Sequence, residues 1–167
     1  MSLLNNFSLV SAFFAMTFSQ LIKIPISIIF RKKVNWSLIT STGGMPSSHS
    51  ASVSALITAL ILQNGFASPY VAIAGTFGVI VMFDAMGVRR ASGEQGIVLN
   101  HLIEDFQALA ESVKGIATTK QKRQKKMHLK EMLGHKPLEV VCGALLGIGI
   151  AFLTQWLFLH FGLFPPL

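Results

Sequence analysis

The stretch LEVVCGALLGIGIAFLTQWLFLHF, residues 138–161, contains one charged side chain, Glu139, in 24 positions. A bilayer core is crossed by roughly 20 apolar residues in a helix, because lipid offers no partners for backbone N–H and C=O groups. The stretch therefore predicts a transmembrane helix. Three further apolar stretches predict the same structure, and they run over about Phe7–Phe30, Ser47–Leu62 and Ser68–Gly87.

The composition of the whole chain also indicates a membrane protein. Of its 167 residues, 51% are hydrophobic and only 13% are charged, whereas soluble domains carry about 25% charged residues. The single cysteine, Cys142, excludes an intrachain disulfide. We therefore predict an all-α, polytopic membrane helix bundle with about four transmembrane helices, which forms one domain over residues 1–167 and has an insertion at 91–133.

The insertion between the third and fourth apolar stretches has a different character. Its apolar residues recur at helical spacing and its acidic residues occupy other faces, which predicts an amphipathic helix. Such a helix lies at the membrane interface or caps a site; packing on the protein's own cytoplasmic parts is the alternative. The polar and basic run Thr118–Lys126 follows and predicts a solvated loop. The apolar positions are Leu99, Leu102, Phe106, Leu109 and Val113, and the acidic ones are Glu94, Glu104, Asp105 and Glu111.

The positive charges are distributed on one side of the predicted membrane. All 14 Lys and Arg residues, from Lys23 to Lys136, fall on that side or at its edge, while both termini and the Gln63–Ser68 turn have none. Because positive loops stay in the cytoplasm, the basic side is predicted to be cytoplasmic, with both termini outside. The net charge of +7 also suits anionic lipid headgroups, so the expected partner is the membrane and not nucleic acid.

The sequence GGMPSSHS, residues 43–50, is typical of an anion site. Pro46 fits the first turn of a helix, and the backbone N–H groups of Ser47 and Ser48 would then be free to bind an anion. Their hydroxyls are further donors, and His49 lies within reach of the same anion. The alternative interpretation is a glycine turn, a serine-rich helix start and a histidine with an ordinary partner.

A second histidine segment is GHKPLEVVCG, residues 134–143. Pro137 marks a helix start, and His135 and Glu139 are four apart, so their side chains can meet on one face. A carboxylate that is hydrogen-bonded to one ring nitrogen fixes the tautomer and makes the other nitrogen a better nucleophile. The alternative for Glu139 is a charge that interacts favourably with the helix dipole.

Cationic side chains at the same membrane edge form the third element. Lys23 interrupts the first apolar stretch, and charges within spans are commonly functional, although snorkelling to the interface is the alternative. The sequence DAMGVRR, residues 84–90, closes the third stretch. Arg89 or Arg90 can grip a phosphate with two hydrogen bonds, and Asp84 can orient that arginine or pair with the lysine. A plain charge cluster at a membrane end is the alternative.

These motifs resemble the divergent branch of the type 2 phosphatidic acid phosphatase superfamily, which is related to vanadium haloperoxidases. The superfamily has three blocks, Lys-x6-Arg-Pro, Pro-Ser-Gly-His and Ser-Arg-x5-His-x3-Asp. Residues 46–49 match the second block with Ser48 in place of glycine, and His135 and Glu139 match the end of the third with glutamate in place of aspartate. The strings GGMPSSHSA and DAMGVRR resemble the divergent branch specifically, and the resemblance extends over about residues 20–149.

Two departures from these blocks concern the cations. Lys23 and Arg31 are eight positions apart, where the first block has seven, and no proline follows. The arginine of the third block is also missing from its place six residues before the histidine, where Leu129 stands. By the resemblance, Arg89 or Arg90 takes that role, separated from the histidine by the insertion.

The resemblance implies a metal-independent phosphatase without a cofactor, which hydrolyses a phosphomonoester or diphosphate lipid at the cytoplasmic face. A lipid such as phosphatidylglycerophosphate or phosphatidate is the expected substrate. His135 attacks phosphorus, Glu139 holds its imidazole and His49 protonates the leaving oxygen. A lipid-phosphate binding protein or small transporter, which uses the same pocket without turnover, is the alternative. By the same resemblance, the phosphate-binding residues are Lys23, Ser47, Ser48, Arg89 and Arg90, supported by Asp84 and Gly44.

Overall fold

A computed structural model of the chain describes residues 6–29, 44–114 and 134–162, and the regular structure in these three segments is helical. The all-α bundle that the sequence predicts is confirmed. Four of the five helices begin and end within two residues of the bounds that the apolar stretches predict. The helices are α1 (Phe7–Ile29), α2 (Ser48–Asn64), α3 (Pro69–Met86), α4 (Val88–Lys114) and α5 (Pro137–His160).

Three of the described segments are long and apolar enough to cross a membrane. They are α1, α5 and the segment Pro69–Phe106, which comprises α3 and most of α4. Helix α2 has 17 residues, which makes it about 26 Å long, slightly shorter than a hydrocarbon core of about 30 Å. Within the described residues there are thus three candidate spans where four were predicted, and the number of crossings stays a prediction.

Helix α2 lies in the middle of the bundle and contacts α1, α3 and α5. Two hydrogen bonds join it to α1: the Ser8 hydroxyl donates to the Gln63 side chain, and the Gln20 side chain donates to the Ser48 hydroxyl. Since the start of α1 meets the end of α2, and a later turn of α1 meets the start of α2, the two helices are antiparallel. They lie side by side from the Ser8–Gln63 contact to the Gln20–Ser48 contact.

Glycines allow α2 and α5 to pack backbone against backbone. A Cβ atom on Gly143 would overlap the carbonyl oxygen of Ser47, and one on Gly147 would overlap that of Ala51. Only a residue without a side chain permits so close an approach, and small residues at helix contacts are typical of membrane bundles. Because successive turns of α5 meet successive turns of α2, these helices are parallel and start at the same end of the bundle.

The core between α1, α2 and α5 is built mainly from small side chains. At the end opposite to the starts of α2 and α5, Phe7 and Phe158 pack edge to face with ring centroids 5.5 Å apart. Ala59 completes this aromatic cluster. The middle of the core consists of Ala15, Ala51, Ala55, Ile150 and Ala151.

We expect Phe158→Ala to lower the free energy of unfolding by about 2 kcal/mol, because it removes the edge-to-face contact with Phe7 and leaves a cavity beside Ala59. Equilibrium unfolding of the purified protein in detergent measures this. Phe152→Ala is the matched control on the same helix, since Phe152 is 52% exposed, and its effect should stay under about 0.5 kcal/mol. Equal losses in the two variants would contradict the assigned core.

Helix α4 contacts α3 alone among the described helices. The predicted amphipathic segment is therefore helical, and its apolar residues Leu99, Leu102, Phe106 and Leu109 are exposed. An apolar face without protein contacts is what a helix at the membrane interface would have, and that location stays a prediction. The predicted loop Thr118–Lys126 lies outside the described residues.

Candidate functional site

The start of α2 differs from the sequence prediction. Pro46 precedes the helix instead of lying in its first turn, and Ser47 is the N-cap, whose Oγ accepts from the N–H of Ser50 (3.4 Å) and from its hydroxyl (3.0 Å). The N–H of Ser47 donates to the Glu139 carbonyl oxygen (3.0 Å). The prediction that this N–H is free is therefore wrong, because the neighbouring start of α5 supplies an acceptor.

The start of α5 is held in place by its own capping and by α3. Helix α5 begins at Pro137, as predicted. The N–H of Lys136 donates to the Glu139 carboxylate (3.2 Å), so this side chain caps its own helix. The N–H of His135 donates to the Ala85 carbonyl near the end of α3 (3.1 Å). The ends of three helices therefore meet at one place.

His135 and Glu139 make the contact that their spacing predicts. Nδ1 of His135 lies 2.9 Å from Oε2 of Glu139, and the histidine is only 1% exposed. Because an ionised carboxylate can only accept, Nδ1 carries a hydrogen in this contact. Nε2 is buried and has no hydrogen-bond partner in the described part of the chain, so it is the ring atom that is not already engaged.

His49, in the first turn of α2, brings a second imidazole to the same place. The ring centroids of His49 and His135 are 6.4 Å apart and the ring planes are inclined by 64°. The two histidines are 86 positions apart in the sequence, and their predicted meeting is present in the structure. At this separation both rings can reach one small anion, while their chemical roles stay a prediction.

Lys23 lies within the bundle and not at its surface. It is 3% exposed, and Glu139 acts on it electrostatically. An isolated charge inside a membrane protein is costly, so buried ionised groups pair with one another. The burial argues against the snorkelling alternative.

Gln20 is a polar residue at this end of the bundle to which the sequence motifs assign no role. Its Nε2 donates to the Ser48 hydroxyl (3.2 Å), and its Oε1 is buried without a hydrogen-bond partner among the described residues. Gln20 precedes Lys23 by three positions, so one face of α1 presents both. A second polar residue at helical spacing from a lysine, within an apolar stretch, is the signal that identifies it.

The remaining predicted site residues are Arg89, Arg90, Asp84 and Gly44, and the structure gives their surroundings as follows. Nε of Arg90 lies 3.1 Å from Oε1 of Glu94 in an exposed pair on α4. The preceding residue is Arg89, and its side chain lies outside the described part. Asp84 is half-buried near the end of α3, and Gly44 has a positive φ of 91° before α2. The phosphate-binding and supporting roles of these residues stay predictions.

The described groups at the three helix ends are suited to bind an oxyanion. A buried ammonium, a buried hydroxyl and two imidazoles come from Lys23, Ser48, His49 and His135. Cations and hydroxyl donors in a site with little water are the groups that stabilise phosphate oxygens. In residues 6–29, 44–114 and 134–162, no three His, Cys, Asp or Glu side chains are placed to hold a metal ion.

The chain is similar to known membrane proteins of one family. The sequence model of the Divergent PAP2 family matches residues 4–150, which include both histidine segments. A Bacillus subtilis (strain 168) protein, named Uncharacterized membrane protein YuiD, is 47% identical over 159 residues, which are 95% of this chain and 100% of that protein. No solved structure matches the chain.

Proposed function

Because the chain belongs to the Divergent PAP2 family and has the apolar helices of a membrane protein, we propose that it hydrolyses a phosphomonoester or diphosphate lipid. The observation that carries this proposal is the buried ring of His135, whose Nδ1 contacts Glu139 while Nε2 contacts no hydrogen-bonding group of the described chain. Both features suit a nucleophile, since its attacking atom must not be engaged in another hydrogen bond and its orientation must be fixed.

In the first step, Nε2 of His135 attacks phosphorus and the bond from phosphorus to the leaving oxygen breaks. The electron pair of that bond goes to the leaving oxygen, which His49 protonates as a general acid. Glu139 accepts a hydrogen bond from Nδ1, which keeps its hydrogen, and stabilises the positive charge that develops on the ring. The products are a phosphohistidine and the free lipid alcohol or lipid monophosphate.

In the second step, a water molecule attacks the phosphorus of the phosphohistidine. His49, which has given up its proton, accepts one from this water. The bond between phosphorus and nitrogen breaks, and its electron pair returns to Nε2 of His135. Inorganic phosphate leaves, and both histidines are back in their starting states.

Transition-state charge lies on the equatorial phosphate oxygens, where the cations and donors of the site act. Lys23 supplies a buried ammonium, and the low exposure of the site strengthens its effect because little water screens it. In this mechanism Asp84 orients the arginine of the site, and Gly44 allows the backbone before α2 to approach the anion. The further phosphate-binding groups are the hydroxyls of Ser47 and Ser48 and the guanidinium of Arg89 or Arg90.

In this proposal the site faces the cytoplasm and both termini lie outside. The support is the sequence, in which all 14 Lys and Arg residues fall between Lys23 and Lys136 and are predicted to lie on one side of the membrane, the side where α2 and α5 start. A lipid that is made on the cytoplasmic leaflet, such as phosphatidylglycerophosphate or phosphatidate, would present its headgroup at the depth of these helix starts. The substrate class therefore follows from the location of the site.

We expect the purified protein in detergent to release inorganic phosphate from phosphatidate or phosphatidylglycerophosphate micelles. Vanadate should inhibit this release, because it adopts the five-coordinate geometry of the phosphoryl transition state, and a chelator should leave the rate unchanged. A colorimetric phosphate assay measures the release. If the folded protein releases phosphate from neither lipid nor from a lipid diphosphate, the hydrolase function is wrong.

A second function, lipid-phosphate binding or transport without turnover, is favoured by one observation. Arg90 pairs with the exposed Glu94 on its own helix. If no arginine acts on the phosphate, the pocket would bind a lipid phosphate without stabilising the transition state. Radiolabelled lipid phosphate that stays bound and intact over hours would support this second function over hydrolysis.

A further inference from the structure

We propose that Gln20 is a positioning residue of the phosphate site, which orients the Ser48 hydroxyl so that its hydrogen points towards the bound oxyanion. This role rests on the proposed function, since it requires an anion beside Ser48. Gln20 lies outside all three sequence blocks, so its assignment depends on the contacts in the structure.

The contact between Gln20 and Ser48 leaves the serine hydrogen available. Nε2 of Gln20 lies 3.2 Å from Oγ of Ser48, which is 2% exposed. A hydroxyl has one hydrogen to donate and two acceptor positions, and the amide N–H occupies one of these acceptor positions. The contact with Gln20 does not use the hydrogen of this buried hydroxyl, so a ligand beside the start of α2 can accept it.

The amide also makes the hydroxyl a stronger donor. A hydroxyl that accepts one hydrogen bond is polarised and donates a second one more strongly, and this effect is larger where water is excluded. One of the two N–H groups of the amide is engaged with the serine. The consequence is a fixed, strengthened O–H donor in the first turn of α2, where His49 also lies.

The second amide atom of Gln20 indicates which ligand group lies next to it. Oε1 is buried and has no hydrogen-bond partner among the described residues, which is unfavourable unless a ligand or water satisfies it. A carbonyl oxygen accepts hydrogen bonds and repels a bare phosphate oxygen. The group it suits is a hydroxyl, either on a singly protonated phosphate or on the headgroup of a lipid such as a glycerol ester.

A second serine–glutamine pair joins α1 and α2 far from the histidines and serves as a control. Ser8 and Gln63 join α1 and α2 at the opposite end, again through a serine hydroxyl and a glutamine side chain. Both pairs link the same two helices, but only the pair of Gln20 and Ser48 lies beside the histidines. Loss of the Ser8–Gln63 pair therefore reports the structural value of such a link without any effect on the anion.

The experiment compares Gln20→Met, Ser48→Ala, their double variant and the control Gln63→Met. Methionine keeps the volume of glutamine and removes the amide. Binding of inorganic vanadate is measured by titration calorimetry in detergent, together with kcat and KM for phosphatidate. We expect Gln20→Met and Ser48→Ala each to weaken vanadate binding about 3- to 10-fold. The double variant should bind vanadate as tightly as the weaker-binding of the two single variants, because both remove the same interaction. Gln63→Met should lower the unfolding temperature and leave vanadate affinity unchanged.

The charged variant Gln20→Glu separates positioning from simple packing. A carboxylate can only accept, so it would turn the Ser48 hydrogen away from the anion and add repulsion. We expect a larger loss of vanadate affinity than for Gln20→Met, although the shape of the side chain is kept. A loss no greater than that of Gln20→Met would indicate a packing role and overturn the inference.

The remaining outcomes concern this role and the hydrolase function separately or together. If the wild-type protein binds vanadate but hydrolyses no lipid, the hydrolase function fails, and non-additive losses at Gln20 and Ser48 would still support the inference. If Gln20→Met binds vanadate within twofold of wild type, or if the losses of the single variants add, the inference is overturned. A folded wild-type protein that binds no vanadate would overturn both.

Discussion

Replacement of His135 by alanine should lower kcat for phosphate release by at least about 10⁴-fold, because losses of this size follow the removal of a catalytic nucleophile. The variant lacks the only imidazole whose Nδ1 contacts a carboxylate in the described part of the chain. Phosphate release from phosphatidate, measured over hours at high enzyme concentration, determines the residual rate. Labelled substrate should also yield an acid-labile, base-stable phosphoprotein with wild type and none with the variant.

Two companion variants separate chemistry from folding. Glu139→Gln keeps a hydrogen-bonding side chain beside His135 but removes its charge, so we expect a smaller loss in kcat of about 100-fold or more. His160→Ala is the control, since this histidine stacks on Trp156 near the opposite end of α5. It should retain wild-type turnover. A folded His135→Ala protein with undiminished turnover would show that His135 is not the nucleophile.

Gly143→Ala should destabilise the protein by about 3 kcal/mol, because the added Cβ would overlap the backbone of Ser47, which cannot move aside as a side chain would. To relieve the overlap, the start of α5 must shift away from α2, which would break the hydrogen bond from Ser47 to Glu139. His135 precedes this helix, so vanadate affinity and turnover should fall together with stability. Equilibrium unfolding in detergent and vanadate titration measure the two effects.

Gly149→Ala provides the control for this prediction on the same helix. A Cβ at Gly149 meets no atom within 4 Å, and alanine favours a helix over glycine by up to about 1 kcal/mol. We expect unchanged or slightly higher stability and wild-type turnover. If Gly143→Ala is as stable and active as Gly149→Ala, then α2 and α5 do not make the close backbone contact on which the site depends.

The features that local spacing determines were predictable. The lengths of the apolar stretches predict α1, α3 and α5, because the bilayer sets the length of a spanning helix. Pro137 predicts the start of α5, since a proline without an N–H suits the first turn. The contact between His135 and Glu139 follows from four positions along one helix, which is a distance that the backbone alone fixes.

Other features of the site depend on contacts between helices, which no local sequence pattern shows. The N–H of Ser47 was expected to be free, and only the carbonyl of Glu139, 92 positions later, provides its acceptor. The link from Gln20 to the start of α2 likewise joins two helices. Helix α2 is shorter than the three candidate spans. Its central position is visible only from its contacts with α1, α3 and α5.

Local spacing predicts the helices, the end of the bundle at which the polar residues gather, and the contact of His135 with Glu139. The packing of the helices sets how closely the two histidines approach and which backbone and amide groups are already engaged. Spacing along a helix is fixed by covalent geometry, whereas the distance between two helices depends on the side chains between them. Here Gly143 and Gly147 have none, so the backbones of α2 and α5 come into contact.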